Sequence, residues 1–179
     1  MLKYTSKDLD QAIVIYFSVK EFINKRGERM KIVYTNGSDK DFVDLCQMLD
    51  DNLNDIVGGE QQRKQYVQFN VLNDIHDVFV VYLDNVPVGC ASFKKYDDHA
   101  AEVKRVFVRK EHRGKGISKQ LMSEIEDLAK RKGFTKLILE TGVPLVEAHA
   151  LYKKLGFQII DNYGQYKDMK GSICMQKEI

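Results

Sequence analysis

Residues 103–122 read VKRVFVRKEHRGKGISKQLM. Val103, Arg105 and Phe107 alternate with Lys104, Val106 and Val108, the period of a strand, while Ile117, Leu121, Ile125 and Leu128 recur at the spacing of one helix face. Between the two patterns lies a basic turn in which Gly114 and Gly116 permit close backbone approach. The first N–H groups of a helix have no intrahelical partner and sit at the positive end of its dipole, so a strand, glycine turn and helix in this order suit a bound pyrophosphate. The turn is not a GxxxxGK[ST] loop, and its GxG lacks the third glycine of a dinucleotide fingerprint.

Downstream, Leu137, Ile138, Leu139, Glu140 and Thr141 read as a buried strand, followed by a helix over residues 144–155. Pro144 suits the first helical position, Glu147 falls in the positive first turn, and Gly156 suits the left-handed residue past the end. From residue 31 the expected order is strand, helix, helix, strand, strand, strand, helix, strand, helix, strand, strand. The first two helices are expected over residues 39–53, capped by Ser38 or Asp39, and 59–69. Residues 78–83 and 86–93 form a hairpin turning at Asp84 and Asn85, and residues 172–175 a closing strand.

Two segments in that order resemble the GNAT superfamily of acyl-CoA-dependent N-acetyltransferases. Arg113-Gly114-Lys115-Gly116-Ile117-Ser118 is similar to its R/Q-x-x-G-x-G/A signature, with Ser118 at the last position, and AHALYKKLGF at residues 148–157 is similar to its A-x-x-L-Y-x-x-L-G-F motif. The resemblance spans residues 76–179 and, more loosely, extends from residue 31. It implies an α+β fold: a central, mostly antiparallel sheet flanked by helices and splayed between the strand ending at Val108 and the one starting at Lys136. It also implies acetyl-CoA as co-substrate, its pantetheine arm on the backbone of Val106, Phe107 and Val108 and its pyrophosphate on Arg113, Gly114, Lys115, Gly116, Ile117 and Ser118. Tyr152 matches the family's general acid, and Glu102, six residues before Val108, matches the catalytic glutamate of its histone-acetylating members. The asparagine often found seven residues before the tyrosine is Leu145 here.

The chemistry demands such groups. An alkyl amine with a pKa of about 10.4 is neutral only about once in 2,500 at pH 7, a penalty near 4.6 kcal/mol, so the acceptor needs a base or desolvation. The departing thiolate needs a donor, and a tyrosine remains protonated at neutral pH. For the base the residues leave Glu102, His99, His149 and water open, and for Glu102 also a plain ion pair with Lys104.

The chain has 179 residues, 44% of them hydrophobic, and a net charge of +2, which suits one domain and argues against a nucleic-acid partner. Cys46, Cys90 and Cys174 show neither CxxC spacing nor a histidine at metal spacing and read as reduced thiols of a cytoplasmic protein without a bound metal. Residues 1–30 form an N-terminal extension expected to be helical, with Leu9, Ile13, Tyr16, Phe17 and Ile23 on one face, and residues 31–179 the acetyltransferase domain. The apolar run 12–17 is too short to span a membrane.

The acceptor is less legible. Asp39, Asp41, Asp44, Asp50, Asp51, Asp55 and Glu60 face only Lys31 and Lys40 within residues 31–60, either an acidic wall for a cationic amine or a solvated helix face. Tyr163 and Tyr166 lie in a loop that either lines the acceptor pocket or is surface. Three functions follow: acetylation of the primary amine of a small molecule, which is favoured; acetylation of protein lysines or N-termini; and acyl-CoA sensing without turnover. A homodimer is one assembly the reading allows.

Overall fold

The computed structural model describes residues 19–24, 27–72 and 74–179. Eight strands form one sheet: β1 (Val19–Ile23), β2 (Arg29–Thr35), β3 (Asp77–Leu83), β4 (Val86–Lys95), β5 (Ala100–Val108), β6 (Lys136–Gly142), β7 (Gln158–Ile160) and β8 (Ser172–Glu178). Their order is β1-β2-β3-β4-β5-β6-β8-β7, and every neighbouring pair is antiparallel except β5 and β6. The helices among the described residues are α1 (Lys40–Val57), α2 (Glu60–Val67), α3 (Ile117–Arg131) and α4 (Val146–Lys154). From residue 31 onward this is the element order expected from the sequence.

Local chemistry sets most boundaries. The Asp39 carboxylate accepts the Phe42 N–H at 3.0 Å and starts α1, and Gly58, at φ 88°, ends it. Asp84 and Asn85 both take the positive φ that a two-residue hairpin turn requires. On one face of the sheet, Ile117, Leu121, Ile125 and Leu128 of α3 are buried against Phe79, Phe93, Leu137 and Leu139. Burying a side chain of this size contributes about 1.5–3 kcal/mol, several times the spread of helix propensities, so packing rather than propensity holds α3. On the other face Phe42, Leu45 and Cys46 of α1 meet Val78, Val80, Cys90 and Phe107. All three cysteines are buried and free, and burial pushes the Cys90 thiol well up.

Three expectations need correction. The helix expected over residues 1–30 falls largely outside the described residues, but Val19–Ile23 within it is a strand, because pairing with β2 overrides local preference. Pro144 is not the first residue of α4: Leu145 occupies the cap position, and its N–H turns back to the Gly142 carbonyl. The alternation along residues 103–108 is broken by a bulge, where pairing jumps from Cys90↔Phe107 to Ser92↔Lys104. Val103, Val106 and Val108 therefore all pack toward α3, while Phe107 packs toward α1.

Gly89 lies opposite Val108, where the start of α3 meets the sheet. A Cβ on Gly89 would sit 2.8 Å from the Phe107 carbonyl oxygen and 3.4 Å from Ile117 Cγ2. Gly89→Ala is expected to destabilise the fold by about 1–3 kcal/mol through overpacking. A melting temperature unchanged by the substitution would show that β4 and β5 separate freely here.

Candidate active site

The parallel pairing of β5 and β6 stops at Glu102↔Ile138, after which β6 stays with β8 and β5 with β4. From Val103 onward the β6-facing edge of β5 has no strand partner among the described residues. The V that opens holds a cavity of about 180 Å³, walled by Val103, Lys104, Arg105 and Val106 on one side and by Glu140, Thr141, Gly142 and Tyr152 on the other. An extended chain with amide groups can complete both open edges.

At the outer end of β5 a short turn at Lys110–His112 leads to Gly114 (φ 74°) and Gly116 (φ 83°), which precedes the first residue of α3. Among the described residues no side chain caps α3 and a Cβ on either glycine would meet no atom within 4 Å, and the first turn of α3 contains no acidic residue. Buried Nε of Arg109 and Nδ1 of His112 have no hydrogen-bond partner among the described residues. Uncapped N–H groups, open space and orphaned nitrogens beside them fit a phosphate-bearing ligand. Arg113 is a staple: its Nε donates to the Val108 carbonyl at 3.1 Å and its terminal nitrogen to Asn52 Oδ1 at 2.9 Å. Lys115 pairs with Glu28 at 2.8 Å, and Ile117 buries its side chain in the core, leaving its N–H for a ligand. Ser118 follows in the first turn.

Tyr152 reaches the cavity from α4 with its ring edge-on to Phe157. Burial, and secondarily Glu140, push its hydroxyl well above the usual tyrosine range, so it stays protonated at neutral pH. Glu102 is 1% exposed and does not itself line the cavity. It accepts from the Tyr163 hydroxyl at 3.2 Å and lies 3.6 Å from Lys104 Nζ, and its Oε2 has no hydrogen-bond partner among the described residues. Lys104 Nζ donates to the Tyr166 hydroxyl at 2.8 Å, and Tyr166 lines the cavity, so the tyrosine loop is part of the site. The six-residue offset from Val108 crosses the bulge. Glu102 nevertheless shares the Lys104 side of the strand because their own spacing of two is unbroken. His149 is held by the Gly142 carbonyl at 3.0 Å, and His99 is exposed.

The acidic segment is not a wall. Asp39 caps α1, Asp41 accepts from Tyr82, Asp44 pairs with Lys40, Asp51 accepts from Gln47, and Asp50 binds Arg63 and Arg105; none of them lines the cavity. Sequence reading missed Arg63, Arg105 and Glu140. Burial pushes the Glu140 carboxyl up, partly offset by Ser172 and Lys104. A folded-state pKa above the unfolded one means that stability present at low pH is lost as pH rises through the folded value. Glu140→Gln is therefore expected to raise the melting temperature relative to the unmodified chain at pH 7.5 and to leave it near-equal at about pH 4. Equal shifts at both pH values would mean that no ionisation is involved.

A splayed parallel pair, an uncapped helix start behind a glycine turn and a buried tyrosine hydroxyl in the V suit an acyltransferase that takes its acyl group from coenzyme A. A model of the acetyltransferase (GNAT) family matches residues 43–157, and the chain belongs to that family, which transfers acetyl from acetyl-CoA to amines. An IAA acetyltransferase of Azospirillum brasilense is 33% identical over 138 residues, covering 76% of this chain and 90% of its own length. Two solved structures share the fold. A GNAT family acetyltransferase from Elizabethkingia anophelis with acetyl-CoA bound has a TM-score of 0.60 at 22% identity, over 84% of this chain and 98% of its own. The PaiA N-acetyltransferase of Thermoplasma acidophilum in complex with coenzyme A has a TM-score of 0.64 at 21% identity, over 84% of this chain and 99% of its own. No helix among the described residues is long and apolar enough to cross a membrane.

Proposed function

We propose that the chain acetylates the primary amine of a small molecule, with Tyr152 and Glu102 as its proton-handling residues. The observation that carries this reading is the walled cavity in the V, with Tyr152 on one side and the tyrosine loop closing it. A protein acceptor would call for a shallow, open groove; here α1 and α2 contribute Leu49, Leu53, Val57 and Arg63 to a recess.

Acetyl-CoA supplies an activated acyl group when bound. The backbone of Val106, Phe107 and Val108 lies on the unpartnered edge suited to the pantetheine amides, and the loop from Arg113 to Ser118 offers its N–H groups to the pyrophosphate. Tyr152 holds a proton for the departing sulfur. Glu102 lies behind Tyr166 and Lys104 and accepts from the Tyr163 hydroxyl, so a proton leaving the amine reaches it through the hydroxyls of this tyrosine loop. Removing one proton-transfer group of this kind lowers rates by about 10²–10⁴. Glu102→Gln is accordingly expected to reduce kcat at pH 7 by about 10²-fold and to recover part of the loss as pH rises toward the amine pKa. A flat ratio between variant and unmodified chain from pH 7 to 9.5 would remove Glu102 from the proton path.

The test of the function is amine-dependent release of free CoA across polyamines, amino acids, aminoglycosides and lysine peptides. Turnover confined to one class of small amine supports it. Labelling of lysates without small-molecule turnover would point to a protein acceptor, and tight acetyl-CoA binding with no release in any assay would point to a sensor.

A further inference from the structure

The cavity is polarised in a way that acetyl transfer alone does not require. Among the described residues its charged lining consists of Arg63, Lys104 and Arg105 from the α2 and β5 side, and a single carboxylate, Glu140, from β6. Arginine does not deprotonate in proteins, so two of these charges are permanent. Both guanidiniums share one oxygen of one carboxylate: Arg63 reaches Asp50 Oδ1 at 2.7 Å and Arg105 reaches the same atom at 2.8 Å, and Arg63 also donates to the Asp50 carbonyl at 2.9 Å and Asn54 Oδ1 at 3.0 Å. The Arg105 side chain is only 7% exposed, and its Nε is buried with no hydrogen-bond partner among the described residues. Burying a charge without full compensation is costly, and a buried donor left unpaired adds to that.

The backbone reinforces the point. Arg105 is the bulge residue and holds φ at +54°, a left-handed conformation that costs a non-glycine residue about 1–2 kcal/mol. Its guanidinium is anchored to Asp50 and to the Asn70 carbonyl at 2.8 Å, which fixes it at the cavity wall. A strained arginine with an orphaned nitrogen, two cations sharing one oxygen, and a cavity beside them call for an anion. A neutral thioester carries none.

We propose that the acceptor is an amine that also carries a carboxylate, in the manner of an amino acid. Its carboxylate lies against Arg105 and Arg63, and its ammonium turns toward Glu140 on the opposite wall of the V. This proposal rests on the acetyl-transfer reading above. The nitrogen forms its bond to the acetyl carbon as the carbon–sulfur bond breaks. Of the two protons the ammonium gives up, one ends on sulfur by way of the protein's proton carriers and the other in solvent; the products are an N-acetylated acid and CoA. Acetylation removes the ammonium charge that Glu140 attracts, which favours product release. Arg63 and Arg105, with Lys64, Asp50 and Glu60, also wall a second hollow of about 640 Å³ between α1 and α2, which gives a longer acceptor room to extend.

The test compares amino acids with their own carboxamides and decarboxylated amines as acceptors, using the full chain and reading CoA release. The acids are expected to exceed the matched amides by about 10²-fold or more in kcat/KM, since a site built to pair a group rejects the analogue lacking it. Arg105→Gln, or Arg63→Gln if the strained position does not tolerate change, is expected to collapse that ratio while leaving the KM for acetyl-CoA unchanged. Amides or polyamines used as well as acids would overturn the proposal, as would a panel in which no acid is either acetylated or bound by calorimetry. Calorimetric binding of acetyl-CoA separates the two failures: if it binds and no acid does, this proposal falls alone; if it does not bind, the acetyl-transfer reading falls with it.

Discussion

Tyr152→Phe is expected to lower kcat by about 10²–10⁴ at pH 7, with the KM for acetyl-CoA nearly unchanged. The phenylalanine keeps the edge-on contact with Phe157 and the core packing, so only the hydroxyl proton is lost. Burial holds that proton on the tyrosine across the working pH range, which makes it available to a thiolate leaving group, for which a cysteine thiol with a pKa of about 8.5 is a lower reference. Above that pH sulfur departs without needing a proton, so the deficit should shrink between pH 7 and 9.5. A pure packing role predicts the opposite set of readings: a lower melting temperature, a pH-independent change and a kcat near that of the unmodified chain. Stopped-flow CoA release with a thermal melt on the same sample distinguishes them.

Gly116→Val is expected to weaken acetyl-CoA binding about 10- to 100-fold. At φ 83° a β-branched residue is strained by at least about 1–2 kcal/mol, and relief requires the loop to rotate and re-aim the N–H groups at the start of α3. Its Cβ would enter space that holds no atom of the described residues within 4 Å, the space proposed for the pyrophosphate. Gly133 supplies the control. It has φ 89°, an equally open Cβ position, and lies just past the opposite end of α3. Gly133→Val carries the same backbone strain with no ligand nearby, so both variants should lose comparable thermal stability while only Gly116→Val loses affinity. Equal calorimetric Kd values for the two would place the pyrophosphate elsewhere.

The elements were legible because their signals are local. Asp39 ahead of an apolar-periodic run, the Asp84-Asn85 turn and Gly156 after Leu155 each act within a few residues, and the structure uses each of them. The bulge at Arg105 was not legible. Neither arginine nor its neighbours demand a left-handed residue; the strain is held in place by Asp50 and the Asn70 carbonyl, 55 and 35 positions away in sequence. The same distance hid the acceptor wall. Counting carboxylates in residues 31–60 ignored their partners, and those partners, Tyr82, Arg63 and Arg105, come from β3, α2 and β5.

By itself the sequence determined the order of strands and helices from residue 31, the splayed mixed sheet through its family motifs, the glycine turn before α3, and Tyr152 at the site. These rest on periodicity, capping and φ preferences, which a chain expresses over a few residues at a time. Tertiary structure alone decided which charges face the cavity, that Glu102 lies behind Tyr166 and Lys104 rather than on the wall, and that Val19–Ile23 joins the sheet edge. A side chain's surroundings depend on contacts between segments far apart in the chain, and burial and ion pairing take their sign from those contacts.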